Sequence, residues 1–137
     1  MIDHALESAF ADFIQSDATF DGTKLYTAHD DETHVLPAII FAAKSEPLSG
    51  SSDVFRAEMT ITIQSEAHDS SPEAHEARVE LLLTKLADKA SAAAAINAAG
   101  KIHLYGYAPS ATDPNVDASK SKFCTPLIYK VGYGTAR

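Results

Sequence analysis

The stretch VFRAEMTITIQ, Val54 to Gln64, decides how this chain folds. Phe55, Ala57, Met59, Ile61 and Ile63 fall on one side of an extended chain, and Arg56, Glu58, Thr60, Thr62 and Gln64 on the other. Side chains along a strand alternate with a period of two, so the pattern spells a strand with one buried and one open face. Its length implies a well-paired strand.

Upstream lies LPAIIFAA, residues 36–43, a short apolar run of the kind found in strands covered on both faces. Pro37 near its start is tolerable, because proline cannot donate a ladder hydrogen bond. The segment KSEPLSGSSD, residues 44–53, is turn-rich, so the two strands read as an antiparallel hairpin. Downstream, HDSSP at 68–72 reads as a helix start. Pro72 suits the first turn, Ser70 or Ser71 can cap it, and Glu73 completes a capping box for Ser70. Val79, Leu82, Leu83, Leu86 and Ala90 then form a buried stripe opposite Glu76, Glu80 and Lys89. A second, alanine-rich helix from Ser91 to Ala99 stops at Gly100, a residue suited to the left-handed helix end.

At the start of the chain, Ile2, Ala5, Leu6, Ala9, Phe10 and Phe13 share one helix face, with Asp3, Glu7 and Asp12 opposite, which predicts an amphipathic helix over 2–15. Residues 16–34 read as loop with a short strand near Lys24 to Thr27. At the other end, Ile102 to Ala108 and Phe123 to Tyr133 read as strands, with Pro126 marking an edge or a local break in pairing. A polar loop, residues 109–121, joins them; a loop this long usually binds something. The expected architecture is one α+β domain over residues 1–137. Its sheet is mostly antiparallel and four-stranded, with the N-terminal helix and the helix pair packed on one face.

Composition agrees with one domain: 137 residues, 45% hydrophobic and 22% charged, allow a sizeable core. The longest apolar runs, Leu36 to Ala43 and Ser91 to Ala99, are too short to span a bilayer. Asp3 and Glu7 stand where a secretory signal would carry basic residues. Cys124 is the only cysteine, so no intramolecular disulfide forms, and a cytoplasmic setting is expected. The net charge of −8 is uneven: residues 1–32 hold eight acids against Lys24 alone, whereas residues 100–137 hold five bases against two acids. Wrapping of nucleic acid, which relies on clustered Lys and Arg, is not expected. Such acidity keeps a protein soluble and also makes a surface that repels DNA.

Residues with chemical potential do not assemble into a known site pattern. His68, Asp69, His75 and Glu76 lack paired metal-ligand spacing and read as solvated helix-start residues. His29, Asp30, Asp31, Glu32 and His34 lack a calcium-loop signature and read as a solvated loop. Gly132 and Gly134 open no helix, so they make no dinucleotide fingerprint. Neither a metal nor another cofactor is expected. Tyr105, Tyr107, Tyr129 and Tyr133, with Phe123, could form an aromatic interface patch or pack under the helices as ordinary strand residues.

Taken together, LPAIIFAAKSEPLSGSSDVFRAEMTITIQSEAHDSSPEAHEARVELLL (36–83) and KFCTPLIYKVGYG (122–134) resemble the tail-terminator, or tail-completion, proteins of long-tailed bacteriophages. The likeness lies in layout: a short N-terminal helix, an apolar strand, a long alternating strand, a Pro-Glu helix start, another helix and a closing strand pair. It implies a structural virion protein without catalytic activity. Such a protein forms a hexameric ring that caps the tail tube, ends its polymerisation and meets the head–tail connector or stopper protein, at the head-proximal end of the tail. Its expected partners are copies of itself, the tube protein and the connector; DNA passes through the lumen without specific binding.

Candidate contact residues are Arg56, Glu58, Thr60 and Thr62 on the long strand, Tyr105, Tyr107, Tyr129 and Tyr133, and Lys120 and Lys122 in and after the long loop. Candidate lumen acids are Asp17, Asp21, Asp30, Asp31 and Glu32. A head-completion or tail-tube subunit is the alternative within this class. A small enzyme or ligand-binding domain using Cys124 and His103, on two strands expected to pair, is the alternative from another; it requires a pocket in which the Cys124 thiol is accessible.

Overall fold

The computed structural model describes residues 2–20, 22–27, 37–48, 53–66, 72–110, 117–118 and 122–135. Three α-helices, α1 (Ile2–Gln15), α2 (Pro72–Ala87) and α3 (Lys89–Ala99), are joined by a 3-10 turn (Ala18–Phe20) and six strands. The strands are β1 (Lys24–Thr27), β2 (Ala38–Pro47), β3 (Val54–Glu66), β4 (Ile102–Pro109), β5 (Asp117–Ala118) and β6 (Lys122–Thr135). They form one mixed sheet of order β1-β2-β3-β6-β4, with β5 also pairing to β6. The class is the expected α+β. The four antiparallel strands expected from sequence are its centre, to which the structure adds a parallel edge strand, β1, and the two-residue β5. Among the described residues no helix is long and apolar enough to cross a membrane.

The hairpin β2–β3 runs from Ala38↔Gln64 to Pro47↔Phe55, and the Leu48 N–H extends it to the Val54 carbonyl at 3.0 Å. Its first strand is therefore longer than LPAIIFAA: the segment expected to turn after Ala43 continues as Lys44, Ser45, Glu46 and Pro47. The turn formers there are offset by alternation, since Ile39, Phe41, Ala43 and Ser45 keep to one side of the strand. The central pair is β3 and β6, matched over thirteen residues from Val54↔Gly134 to Glu66↔Lys122.

One face of this sheet is buried. Ile39 and Phe41 (β2), Met59, Ile61 and Ile63 (β3), Leu127, Val131 and Tyr133 (β6) and Ile102 and Leu104 (β4) join Leu6, Phe10 and Ile14 of α1, Leu82 and Leu86 of α2, and Ile96 of α3 in a single core. Asp88 ends α2 and caps α3, its carboxylate accepting from the Ser91 N–H at 3.3 Å. Gly100 closes α3 with φ 78, a left-handed conformation that favours glycine.

Pro126 is not on an edge strand, because β6 is interior. Ser110 N–H donates to the Ile128 carbonyl at 2.8 Å, so the backbone of Ile128, and of Pro126 two residues away, points toward the β4 side. Among the described residues, β4 pairs there only as far as Tyr129 and β5 only with Phe123 and Cys124. The absent N–H of proline thus falls where no described strand pairs with it, one of the few places an interior strand tolerates it.

On each side of the sheet, one outward-facing strand residue is satisfied by a helix side chain. β1 pairs with β2 only up to Phe41, and the next outward N–H, that of Ala43, donates to the buried carboxylate of Glu7 at 2.8 Å. On the far edge, the outward backbone of Leu104 is matched twice by Asn97: its N–H donates to Oδ1 at 2.6 Å and its carbonyl accepts from Nδ2 at 3.4 Å. Unpaired strand groups invite pairing with other chains, and these two side chains satisfy the backbone of Ala43 and Leu104. Glu7, expected on the polar side of α1, is buried for this reason. Glu7→Leu should lower stability by about 1–3 kcal/mol, leaving the Ala43 donor unsatisfied. Glu7→Gln, which still offers an accepting oxygen, should cost less than about 1 kcal/mol. Equal losses in chemical denaturation would show that the carboxylate does not serve the strand.

Candidate functional site

Because all three helices pack on one side, no helix among the described residues covers the other side of the sheet. The alternation that buries Ala57, Met59, Ile61 and Ile63 sends Arg56, Glu58, Thr60 and Thr62 to this open face, where Arg56 and Glu58 are exposed and the threonines half-buried. The cross-strand register arranges the face in rows. Glu46, Arg56 and Gly132 make one row, Lys44, Glu58 and Lys130 the next. Ala42, Thr60 and Ile128 follow, then Ile40, Thr62 and Pro126. One end is charged and the other is apolar or β-branched.

At the charged end, Arg56 grips Glu46 through both Nε (3.1 Å) and a terminal nitrogen (2.9 Å). Lys44, Glu58 and Lys130 complete an open depression of about 370 Å³. Toward β4 the surface dips again, where Gly106 faces Gly132 and leaves the sheet without side chains between Leu48, Phe55 and Ala108. Lys44, Glu46 and Lys130 were not among the expected contact residues. Lys44 and Glu46 were missed because the strand carrying them was expected to end at Ala43; Lys130 lay in plain view on the polar side of the closing strand.

The four tyrosines divide. Tyr105 sits at a β-bulge between Leu104 and Gly106, is 60% exposed, and meets His103 edge-on at 4.8 Å. It remains a surface residue. Tyr107, Tyr129 and Tyr133 are buried, which corrects their assignment as contacts: they are core. Tyr107 packs edge-on against Phe10 at 5.5 Å and donates its hydroxyl to the Leu86 carbonyl, and burial pushes that hydroxyl up to about 12. Tyr133 stacks on Phe55 and shares a hydrogen bond with Ser45; burial raises it and Tyr129 above the ordinary phenol value. The bulge shifts strand phase by one residue, so Tyr107 turns inward, whereas simple alternation would place it on the same exposed side as Tyr105.

Lys120 and the acids Asp21, Asp30, Asp31 and Glu32 lie outside the described residues. Lys122 lies in β6, where its backbone pairs with Glu66. Asp17 is described, and it is committed within the molecule: its carboxylate accepts from the Thr19 N–H at 3.0 Å and pairs with Lys85 at 3.2 Å. Those hydrogen bonds, with the lysine charge behind them, hold its carboxyl below the usual range.

Cys124 and His103 do not meet. Cys124 pairs with Gln64 on β3, whereas His103 pairs with Gly134 on β6, ten residues further along the strand. At roughly 3.3 Å per residue that is about 33 Å, which removes the Cys–His reading. Among the described residues no three His, Cys, Asp or Glu side chains are grouped to hold a metal.

His75, expected to be solvated, is fully buried. Its Nδ1 is 2.8 Å from the Ser65 hydroxyl on β3, and its Nε2 is 2.8 Å from the Thr125 hydroxyl on β6. Arg78 donates to the same Ser65 oxygen at 2.8 Å. A consistent assignment runs from Arg78 to Ser65, from the Ser65 hydroxyl to Nδ1, and from Nε2–H to Thr125, with a neutral imidazole. Burial, and then the Arg78 charge, hold its pKa below 6.5. The cluster pins the first turns of α2 to the two central strands, sealed from solvent, and is a structural device. Its signal was in the sequence: His75 is in helical phase with Val79, Leu82 and Leu86.

No protein-family model matches the chain, and no curated protein matches it significantly.

Proposed function

We propose that this chain is a structural subunit of a long-tailed bacteriophage virion, a tail terminator. It forms a closed, hexameric ring that caps the tail tube, ends tube growth and joins the tail to the head–tail connector, with DNA passing through the lumen. The observation that carries this reading is the two-sided build of the domain. Helices close one face of a sheet whose other face carries no helix among the described residues, is patterned in charged and apolar rows, and is centred on two strands paired over thirteen residues. A subunit with two different flat faces is suited to head-to-tail contacts, which close into rings or extend into filaments.

Growth control separates the terminator from a tube subunit. Added to a polymerising tail-tube protein, the terminator shortens the tubes in proportion to its concentration and appears by negative stain as a cap on one end. Tubes whose length distribution is unchanged, with no cap, would contradict the reading.

A further inference from the structure

We infer that, in the ring, the outward face of α2 in one protomer packs on the helix-free sheet face of the next copy. This rests on the ring reading and names its contact. The outward arc of α2 carries Glu73, Glu76, Ala77, Glu80, Leu81 and Thr84, all exposed, Leu81 at 46%. The helix turns its two cations away from that arc, Arg78 to the buried Ser65 hydroxyl and Lys85 to Asp17. The arc is therefore acidic with one apolar knob.

The sheet face is its complement. Arg56 and Glu46 neutralise one another at 2.9 Å, which leaves Lys44 and Lys130 flanking the single acid Glu58. Beside that basic row lies the apolar strip of Ala42, Thr60 and Ile128, a seat for Leu81. Dimensions agree as well. From Glu73 to Thr84 the helix runs about 16 Å at 1.5 Å per residue. From Lys130 to Cys124 the face runs about 20 Å at 3.3 Å per residue.

Topology selects a second copy as occupant. The two surfaces lie on opposite sides of one two-layer domain, so joining them repeats head to tail, the contact a ring requires. A two-fold dimer through α2 would instead set Glu73, Glu76 and Glu80 against themselves, and like charges across an interface disfavour association.

The test is a charge swap read by native mass spectrometry and sedimentation of the full chain, at low and high salt. Lys44→Glu with Lys130→Glu, and separately Glu76→Lys with Glu80→Lys, should each weaken ring association at least about ten-fold, and the four changes together should restore most of it. All four positions are exposed, and thermal melts of the variants verify that each still folds. As an independent readout, Cys124, half-exposed on the same sheet face, should react with a maleimide several-fold more slowly in the ring than in the dissociated protein. Rings that withstand both pairs of reversals, or equal labelling of Cys124 in both states, would overturn this contact and leave the ring reading standing. A wild-type chain that forms no ring, alone or on tail tubes, would overturn both.

Discussion

His75→Leu should destabilise the protein by about 2–4 kcal/mol, because it keeps the buried volume but strips Ser65 and Thr125 of their shared partner. For a domain of this size that is a fall of roughly 10 °C in Tm. The triple variant Ser65→Ala, His75→Leu, Thr125→Val removes the polar groups together, and should recover a good part of the loss, since no hydroxyl is then left without its ring partner. The imidazole also sets a pH dependence. With its folded pKa held below 6.5, His75 stays neutral while the unfolded chain takes up a proton, so stability is fully present above pH 6.5 and falls as pH drops below it. The slope for this one group is at most about 1.4 kcal/mol per pH unit. Denaturant midpoints of wild type and His75→Leu between pH 7.5 and 5 should therefore converge on acidification. Parallel curves would mean that the histidine does not titrate differently in the two states.

Phe10→Ala should be the most damaging single truncation, about 3–5 kcal/mol. Phe10 is fully buried at the centre of α1, facing the Tyr107 ring, whose hydroxyl in turn reaches α2 at Leu86. One side chain thus ties all the layers: α1, the bulged edge strand and, through Tyr107, the second helix. Truncation opens a cavity beside the Tyr107 ring. Tyr107→Phe, which removes only that bond, should cost about 1 kcal/mol. Urea unfolding of both variants measures this; a Phe10→Ala loss no larger than that of Tyr107→Phe would show that the site collapses and that α1 is not an integral layer.

The regular parts of this fold were legible because they are periodic. The stripe from Leu6 to Phe13, the alternation from Phe55 to Ile63, the Pro72 helix start and the Gly100 stop each lie where the structure has them. What escaped reading depends on a partner far away in sequence. Glu7 and His75 are polar residues in phase with apolar stripes, and only the strand groups they meet, Ala43, Ser65 and Thr125, make their burial affordable. Lys44 and Glu46 read as turn residues because their pairing with Glu58 and Arg56 is supplied by the other arm of the hairpin. Of the expected contacts, Arg56, Glu58, Thr60, Thr62 and Tyr105 lie on accessible surface; Tyr107, Tyr129 and Tyr133 had the alternation of surface and core ambiguous between two faces, and the helices settled it.

Light scattering coupled to size exclusion, with negative-stain images of the same fraction and of that fraction mixed with tail tubes, should show a closed ring of one defined mass, free of filaments, that seats on a tube end. A strict monomer unchanged by tail tubes, or open filaments of the chain alone, would contradict the ring reading.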